Sequence, residues 1–327
     1  HKKFRAYSAW KIRLVGVKRP YFVFLKTNNR FHCLSLLMSD YHFGYGSNLD
    51  LDDWKEWCND HGRKSNEMQV EPSIFFLPDY ELDFHYYSGS RGGGALDVVK
   101  LRGHAVAGKL FKVTGDGWAS LDAKEGAPNY YRQEKVVVLS ENGEQRTAIT
   151  YVVVPDKIRE NHVPPAPGYI EIVERAYDCY GITKSHPWAK EQLQASGKDK
   201  VTKSAVNHLF IYGTLRDGEE RSGILSEFSS KVYNDCKIRG KLINLQGGYP
   251  GLISGDGSVV GEIHHTPKIQ NALKELDRIE GFNGYGEDGS LFHRVLTYSN
   301  DIPCWTYVYA GNPDDGPVIE SGDWLKR

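Results

Sequence analysis

Cysteine is scarce in this chain. Cys33, Cys58, Cys179, Cys236 and Cys304 are spread unevenly over 327 positions, and so odd and irregular a set excludes the framework of a disulfide-stapled secreted domain and fits a reducing cytoplasm. An excess of either charge is also missing. The 41 Lys and Arg against 42 Asp and Glu leave no global field to recruit nucleic acid or an anionic membrane, so a small-molecule partner is easier to accommodate. No uninterrupted apolar run approaches the length of a membrane span. The stretch YFVFLKTNNRFHCLSLLMSD follows basic residues as a secretory signal would, but Lys26, Asn28, Asn29, Arg30 and His32 break it and no small-residue cleavage site follows.

Several reactive signatures are absent as well. Gly44-x-Gly46 begins like a dinucleotide loop, yet Leu49 takes the place of its last glycine, and neither half of the chain has the GK[ST] of a phosphate loop. The glycine-rich RGGGALD lacks that lysine too. There is no G-x-S-x-G and no H-E-x-x-H, and the pair His264-His265 has no evident third ligand. Neither a cofactor nor a metal is therefore expected.

What is present begins at SDYHFGYGSNLD, residues 39–50, and returns at NHLFIYGTLRDG, residues 207–218. Each is an apolar run, then Tyr-Gly, a hydroxyl residue and a polar loop: a strand with a tight exit. After the first, Leu51, Trp54 and Trp57 mark a short helix closed by Gly62, and strands are expected at 81–87, 104–112, 133–139 and 147–154. A helix ending at Gly181 follows a proline-rich approach. Residues 183–206 are lysine-rich and read as a linker outside both cores. Beyond them KVYNDCKIRGKLINL, SVVGEIHH, FHRVLTYS and PCWTYVYAG read as strands, and Ile269, Leu273, Leu276 and Ile279 give one helix a buried face. Residues 1–37 show neither steady alternation nor a convincing helical stripe. They begin with His1, while Met38 stands just before the informative stretch. They read as an N-terminal extension of uncertain status, to which no function is assigned.

The two halves share an order of motifs. Tyr45-Gly46-Ser47, Gly108, LDAKEG at 121–126 and Arg132 recur as Tyr212-Gly213-Thr214, Gly261, LDRIEG at 276–281 and Arg294. An internal duplication accounts for this. Within each LDxxEG, Asp122 and Glu125, or Asp277 and Glu280, fall three apart, on neighbouring parts of one surface if the segment is helical. Such pairs suit metal binding or general acid and base work. An isolated LDxxEG also describes a plain helix end with exposed acids. The helix dipole disfavours an acid there, and burial would raise its pKa further, toward what a base needs near neutral pH.

FGYGSNLD, LDAKEG and YYRQ resemble the gamma-glutamylcyclotransferase family. FIYGTLRDG, LDRIEG and WTYVY resemble its AIG2-like and gamma-glutamylamine cyclotransferase relatives. The resemblance covers most of residues 40–182 and 207–327. It implies an α+β protein made of two copies of a small mixed β-barrel with packed helices, at residues 38–182 and 207–327, that release 5-oxoproline from a gamma-glutamyl compound. The resemblance casts Glu125 and Glu280 as proton-transfer residues. The substrate loops it implies are Tyr45, Gly46, Ser47, Asn48 and Leu49, and Tyr212, Gly213, Thr214 and Leu215. Tyr131 and Tyr169 resemble family tyrosines near the substrate. The second half has Phe292-His293 where the first has Tyr130-Tyr131, and no clear counterpart of Tyr169. It can therefore also be read as a binding or packing module that supports the first.

Overall fold

The computed structural model describes residues 22–27, 30–35, 40–199 and 204–327. Residues 1–38 are a unit of their own. Within it β1 (Phe22–Thr27) and β2 (Arg30–Ser35) pair antiparallel, from Phe22 opposite Ser35 to Thr27 opposite Arg30. The rest of the expected N-terminal extension lies outside the described residues.

The second unit, residues 39–327, contains both halves of the repeat. In the first half β3 (Tyr41–Gly44), β4 (Met68–Ser88), β5 (Gly93–Val113), β6 (Tyr131–Ser140) and β7 (Gln145–Val153) close a barrel in the order β3-β5-β4-β6-β7. The expected strands at 81–87 and 104–112 are the C-terminal portions of two 21-residue strands. Bulges at Val70/Ile74, Pro78/Tyr80 and Asp83/Tyr86 let β4 keep pairing through Pro72 and Pro78, prolines that in the sequence argue against a strand. Helix α1 (Leu51–Asp60) is capped by Asp50, whose carboxylate accepts from the N–H groups of Asp52 and Asp53. Helix α2 (Gly117–Glu125) ends at Gly126 in the left-handed region, and α3 (Tyr169–Cys179) starts after Gly168.

The segment expected to lie outside both cores does not. It forms α4 (Ile182–Ser185) and α5 (Pro187–Ser196), with Trp188, Ala189 and Leu193 buried in the main core. The lysine-rich composition misleads because Trp188, Ala189, Gln192, Leu193 and Ser196 gather the buried positions on one face, while Lys184 and Lys198 are exposed.

The second half differs from the expected second barrel. β8 (His208–Ile211), β9 (Lys231–Leu245), β10 (Tyr249–His265), β11 (Phe292–Ser299) and β12 (Ile302–Tyr309) form an open sheet ordered β11-β12-β8-β10-β9, with α6 (Gly223–Ser226) and α7 (Ile269–Ile279) beside it. In the first barrel the seam closes by pairing Phe75 and Phe76 with Ser140 and Leu139. In the second half β11 and β12 are joined by the two-residue turn Asn300-Asp301, both at positive φ, and at the matching seam β11 meets β9 through a side chain rather than a strand ladder. There the Ser299 hydroxyl accepts from the Lys237 N–H at 3.2 Å and donates to its carbonyl at 2.8 Å.

The repeat is nonetheless visible atom by atom. Tyr45 donates to the Tyr151 carbonyl at 2.7 Å, and Tyr212 to that of Tyr307 at 2.7 Å. Thr150 donates to the Phe43 carbonyl and Thr306 to that of Phe210, each at 2.9 Å. Gly108 and Gly261 explain themselves the same way: a β-carbon would lie 2.3 Å from the Gly44 oxygen at the first and 2.4 Å from the Ile211 oxygen at the second. Strand register corrects one part of the sequence pairing. Gln133 faces Tyr151 and Arg294 faces Tyr307, so the partner of Arg294 is Gln133 rather than Arg132, and Phe292 matches Tyr131.

Arg294 joins the halves. Fully buried, its guanidinium pairs with Asp277 of its own half at 3.0 Å and with Asp79 of the first, and meets the Tyr285 hydroxyl at 3.1 Å. Trp305 donates across to the Gly103 carbonyl at 3.0 Å.

Candidate active site

In each half the loop leaving the first barrel or sheet strand faces the last turn of the LDxxEG helix across a cavity. The first holds about 780 Å³ and is lined by Tyr45, Gly46, Ser47, Asn48, Glu125, Tyr131 and Tyr169, among others. The second holds about 210 Å³ and is lined by Tyr212, Gly213, Thr214, Leu215 and Glu280 together with Tyr249, Pro250, Phe292 and Tyr307. All the sequence-expected residues are thus brought together in their two groups except Leu49, which is fully buried in the core. The 3-10 turn Ser47–Leu49 directs Asn48 toward Glu125 and Leu49 inward.

Both helices form where the motif places them, and both separate the acids of their pair. Asp122 turns into the barrel and accepts from the Tyr151 hydroxyl at 2.6 Å and Gln133 at 2.8 Å. Asp277 accepts from Tyr307 at 2.7 Å and from Arg294. Only Glu125 and Glu280 line the cavities. The aspartates brace the helix and the glutamates face the cavities, and no cluster of three potential metal ligands occurs among the described residues.

Burial pushes the Glu125 carboxyl upward, opposed chiefly by the neighbouring Lys124 and by the Asn48 amide, which donates to its Oε1 at 2.5 Å. Glu280 has no such amide, because Leu215 occupies the position of Asn48. Burial raises it to about 7, with Arg221 pulling the other way. Burial also raises the phenols of Tyr45, Tyr131 and Tyr169, so these remain protonated donors. Tyr131 donates to the Leu96 carbonyl at 2.9 Å. A β-carbon on Gly46 would come 3.0 Å from the Tyr169 hydroxyl, a tight contact in the cavity wall.

Sequence reasoning missed Arg91 and Arg221. Arg91 sits at the tip of the β4–β5 hairpin, donates to the Ser47 hydroxyl at 3.1 Å and lies over the Tyr169 ring at 5.2 Å. Its glycine-rich surroundings were legible in SGSRGGG; its contact with a loop 44 residues away in the chain was not. Arg221 follows the YGT loop, where its N–H bonds the Thr214 carbonyl at 2.9 Å.

The chain belongs to the gamma-glutamyl cyclotransferase, AIG2-like family, whose model matches residues 43–170 and again 209–326. Over 121 residues it is 34% identical to the gamma-L-glutamyl-butirosin B gamma-glutamyl cyclotransferase of Niallia circulans, which covers 36% of this chain and 74% of that protein. The gamma-glutamylcyclotransferase family protein YtfP of Escherichia coli (strain K12) is 33% identical over 120 residues, 36% of this chain and 96% of the relative. A solved gamma-glutamyl cyclotransferase structure aligns over 47% of this chain and 86% of its own, with 25% identity and a TM-score of 0.39. No helix among the described residues is long and apolar enough to cross a membrane.

Proposed function

We propose that this protein releases 5-oxoproline and a free amine or amino acid from a gamma-glutamyl compound, with residues 38–182 and 207–327 as two cyclotransferase units and a cytoplasmic setting. The observation that carries the reading is the Glu125 carboxylate facing the Tyr45–Asn48 loop across a cavity, repeated by Glu280 and Tyr212–Leu215. A gamma-glutamyl compound holds its own nucleophile. The α-amine attacks the side-chain carbonyl, a ring C–N bond forms, the bond to the leaving amine breaks, and no outside nucleophile is consumed. Positioning alone lowers such a barrier by several kcal/mol, with upper estimates of roughly 7–11.

At neutral pH the amine is an ammonium and must first lose a proton. Glu125 takes it and returns it to the departing nitrogen, a base-then-acid role suited to a carboxyl of raised pKa. Backbone N–H groups at Gly46 and Ser47 are the donors proposed for the developing oxyanion, and Tyr131 and Tyr169 wall the glutamyl group. The experiment is an assay for 5-oxoproline over a panel of gamma-glutamyl amino acids, glutathione, gamma-glutamyl-lysine and larger gamma-glutamyl amines, run after chelation and again with common metals restored. Release from at least one is expected; none from any of them would reject the reading.

The second unit has an alternative reading as a supporting module without turnover. Leu215 in place of Asn48, the smaller cavity and the bracing role of Arg294 favour it. The same assay on Glu125→Gln and Glu125→Gln/Glu280→Gln chains separates the two, since turnover that the second substitution removes belongs to the second unit.

A further inference from the structure

The second cavity contains one acid and one base. Among its described lining residues Glu280 and Arg221 alone carry charge, in a wall otherwise made of Tyr212, Leu215, Pro250, Phe292 and similar uncharged groups. A cleft with one carboxylate and one guanidinium matches a zwitterion, ammonium to Glu280 and carboxylate to Arg221. The first cavity is lined by more charges, Asp53, Glu56, Asp60, Arg63 and Lys124 among them, but Arg63 is bonded to Ser120 and Lys124 to Asp53, which leaves Glu125 and Arg91 as the comparable pair, with an arginine that comes from elsewhere in the unit. Arg91 stands in the four-residue tip between Ser88 and Gly93, whereas the matching hairpin tip of the second half, between Leu245 and Tyr249, is Gln246-Gly247-Gly248 and has no cation. Arg221 comes instead from the segment between β8 and α6. Each is tied to the hydroxyl residue of its loop, Arg91 through its guanidinium to the Ser47 Oγ and Arg221 through its backbone N–H to the Thr214 carbonyl.

Arg91 keeps donors to spare. Its contact with Asp53 is 3.4 Å long, and that carboxylate is held more closely by Lys124 at 2.6 Å. A planar guanidinium with free N–H groups is the side chain best matched to a carboxylate. We infer that Arg91 in the first site and Arg221 in the second bind the α-carboxylate of the gamma-glutamyl group, so that two unrelated chain positions supply one specificity element. The inference rests on the cyclotransferase reading. It leaves the backbone N–H groups of the Tyr-Gly loops to the oxyanion and lets one amino-acid head be gripped at both ends.

The test compares a gamma-glutamyl amine with the 4-aminobutyryl amide of the same amine, which lacks the α-carboxylate and would cyclise to 2-pyrrolidinone. Arg91→Gln is measured in a Glu280→Gln background and Arg221→Gln in a Glu125→Gln background, each in the full chain. The preference in kcat/KM for the carboxylate-bearing substrate should fall roughly 10- to 100-fold, the range for losing one charge-assisted hydrogen bond, and Arg→Lys should restore part of it. An equal loss on both substrates, or no loss, overturns the assignment. Calorimetric binding of 5-oxoproline against 2-pyrrolidinone supplies a readout independent of turnover. Selective weakening of 5-oxoproline in the arginine variants upholds the carboxylate site even if no substrate turns over, in which case it is the cyclotransferase reading that fails. Unchanged or absent 5-oxoproline binding overturns the inference.

Discussion

The Asn48 amide stands 2.5 Å from Glu125 Oε1, and its counterpart in the second half, Leu215, offers Glu280 nothing to bond. One substitution within a repeated loop therefore gives the two glutamates different titration. The amide donates to the ionised carboxylate and so favours it, which lowers the pKa against the effect of burial. If each glutamate acts as a base, activity rises with pH through its own pKa. Asn48→Leu should move the acid limb of the first site's pH–rate profile to higher pH, and Leu215→Asn should move that of the second site, near 7 for Glu280, to lower pH. Profiles measured with the other site silenced by Glu→Gln check both directions.

Glu125→Gln preserves size but removes the proton acceptor. Turnover at the first site should fall about 10²- to 10⁴-fold, the span for losing a general acid–base group, with the thermal midpoint little changed. Glu280→Gln should have a smaller or substrate-dependent effect. Near-normal turnover of every substrate by folded Glu125→Gln, together with loss in Glu280→Gln, would move the principal site to the second half.

The raised pKa of Glu280 also has a consequence for stability. Between its ordinary 4.5 and about 7 the folded chain holds a proton that the unfolded chain releases, so folding binds protons and this contribution to stability declines as pH rises through that window. Glu280→Gln removes the ionisation. Relative to the parent, its denaturation midpoint should rise between pH 5 and 8, and an unchanged difference across that range would show that Glu280 is not desolvated.

Much of this site was legible in the sequence because its parts are local. YGS, YGT and the two LDxxEG helices are short, and each carries its own geometry: a strand exit, or a helix ending at a left-handed glycine. What was hidden depends on distant chain. Leu49 looks like its neighbours in the loop until the 3-10 turn sends it into the core. Arg91 becomes a site residue only when a long hairpin folds its tip over Ser47. Arg132 and Arg294 look equivalent in a linear comparison, but pairing across β7 and β12 shows them one residue out of step. The prolines of β4 concealed a strand whose bulges were not visible in its residues.

The bridge between the halves is testable through its buried charge. Arg294 is buried between Asp277 and the part-exposed Asp79, and removing the guanidinium brings these two carboxylates side by side with only Arg102 and Tyr307 left on the buried Asp277. Arg294→Leu should cost about 3–5 kcal/mol, the usual penalty for breaking a buried pair from one side. Adding Asp277→Asn should recover part of it, because the unpaired charge is what costs. Urea denaturation of the single and double variants measures the coupling, and strictly additive effects would dissolve the proposed bridge.

Gly108 and Gly261 offer a test of the duplication itself, since neither touches the proposed chemistry. Both are buried at a strand crossing where a β-carbon would meet a backbone oxygen, 2.3 Å away at Gly44 in one half and 2.4 Å away at Ile211 in the other. A carbonyl in a paired strand cannot rotate aside as a side chain can, so the strands must separate to admit a methyl. Gly108→Ala and Gly261→Ala should each destabilise by roughly 1–3 kcal/mol or more, as overpacking does, and by similar amounts. Gly89→Ala, where no atom lies within 4 Å of the added carbon, serves as the control and should be close to neutral. Equal tolerance of alanine at all three positions would mean that the shared crossing does not constrain the two halves alike.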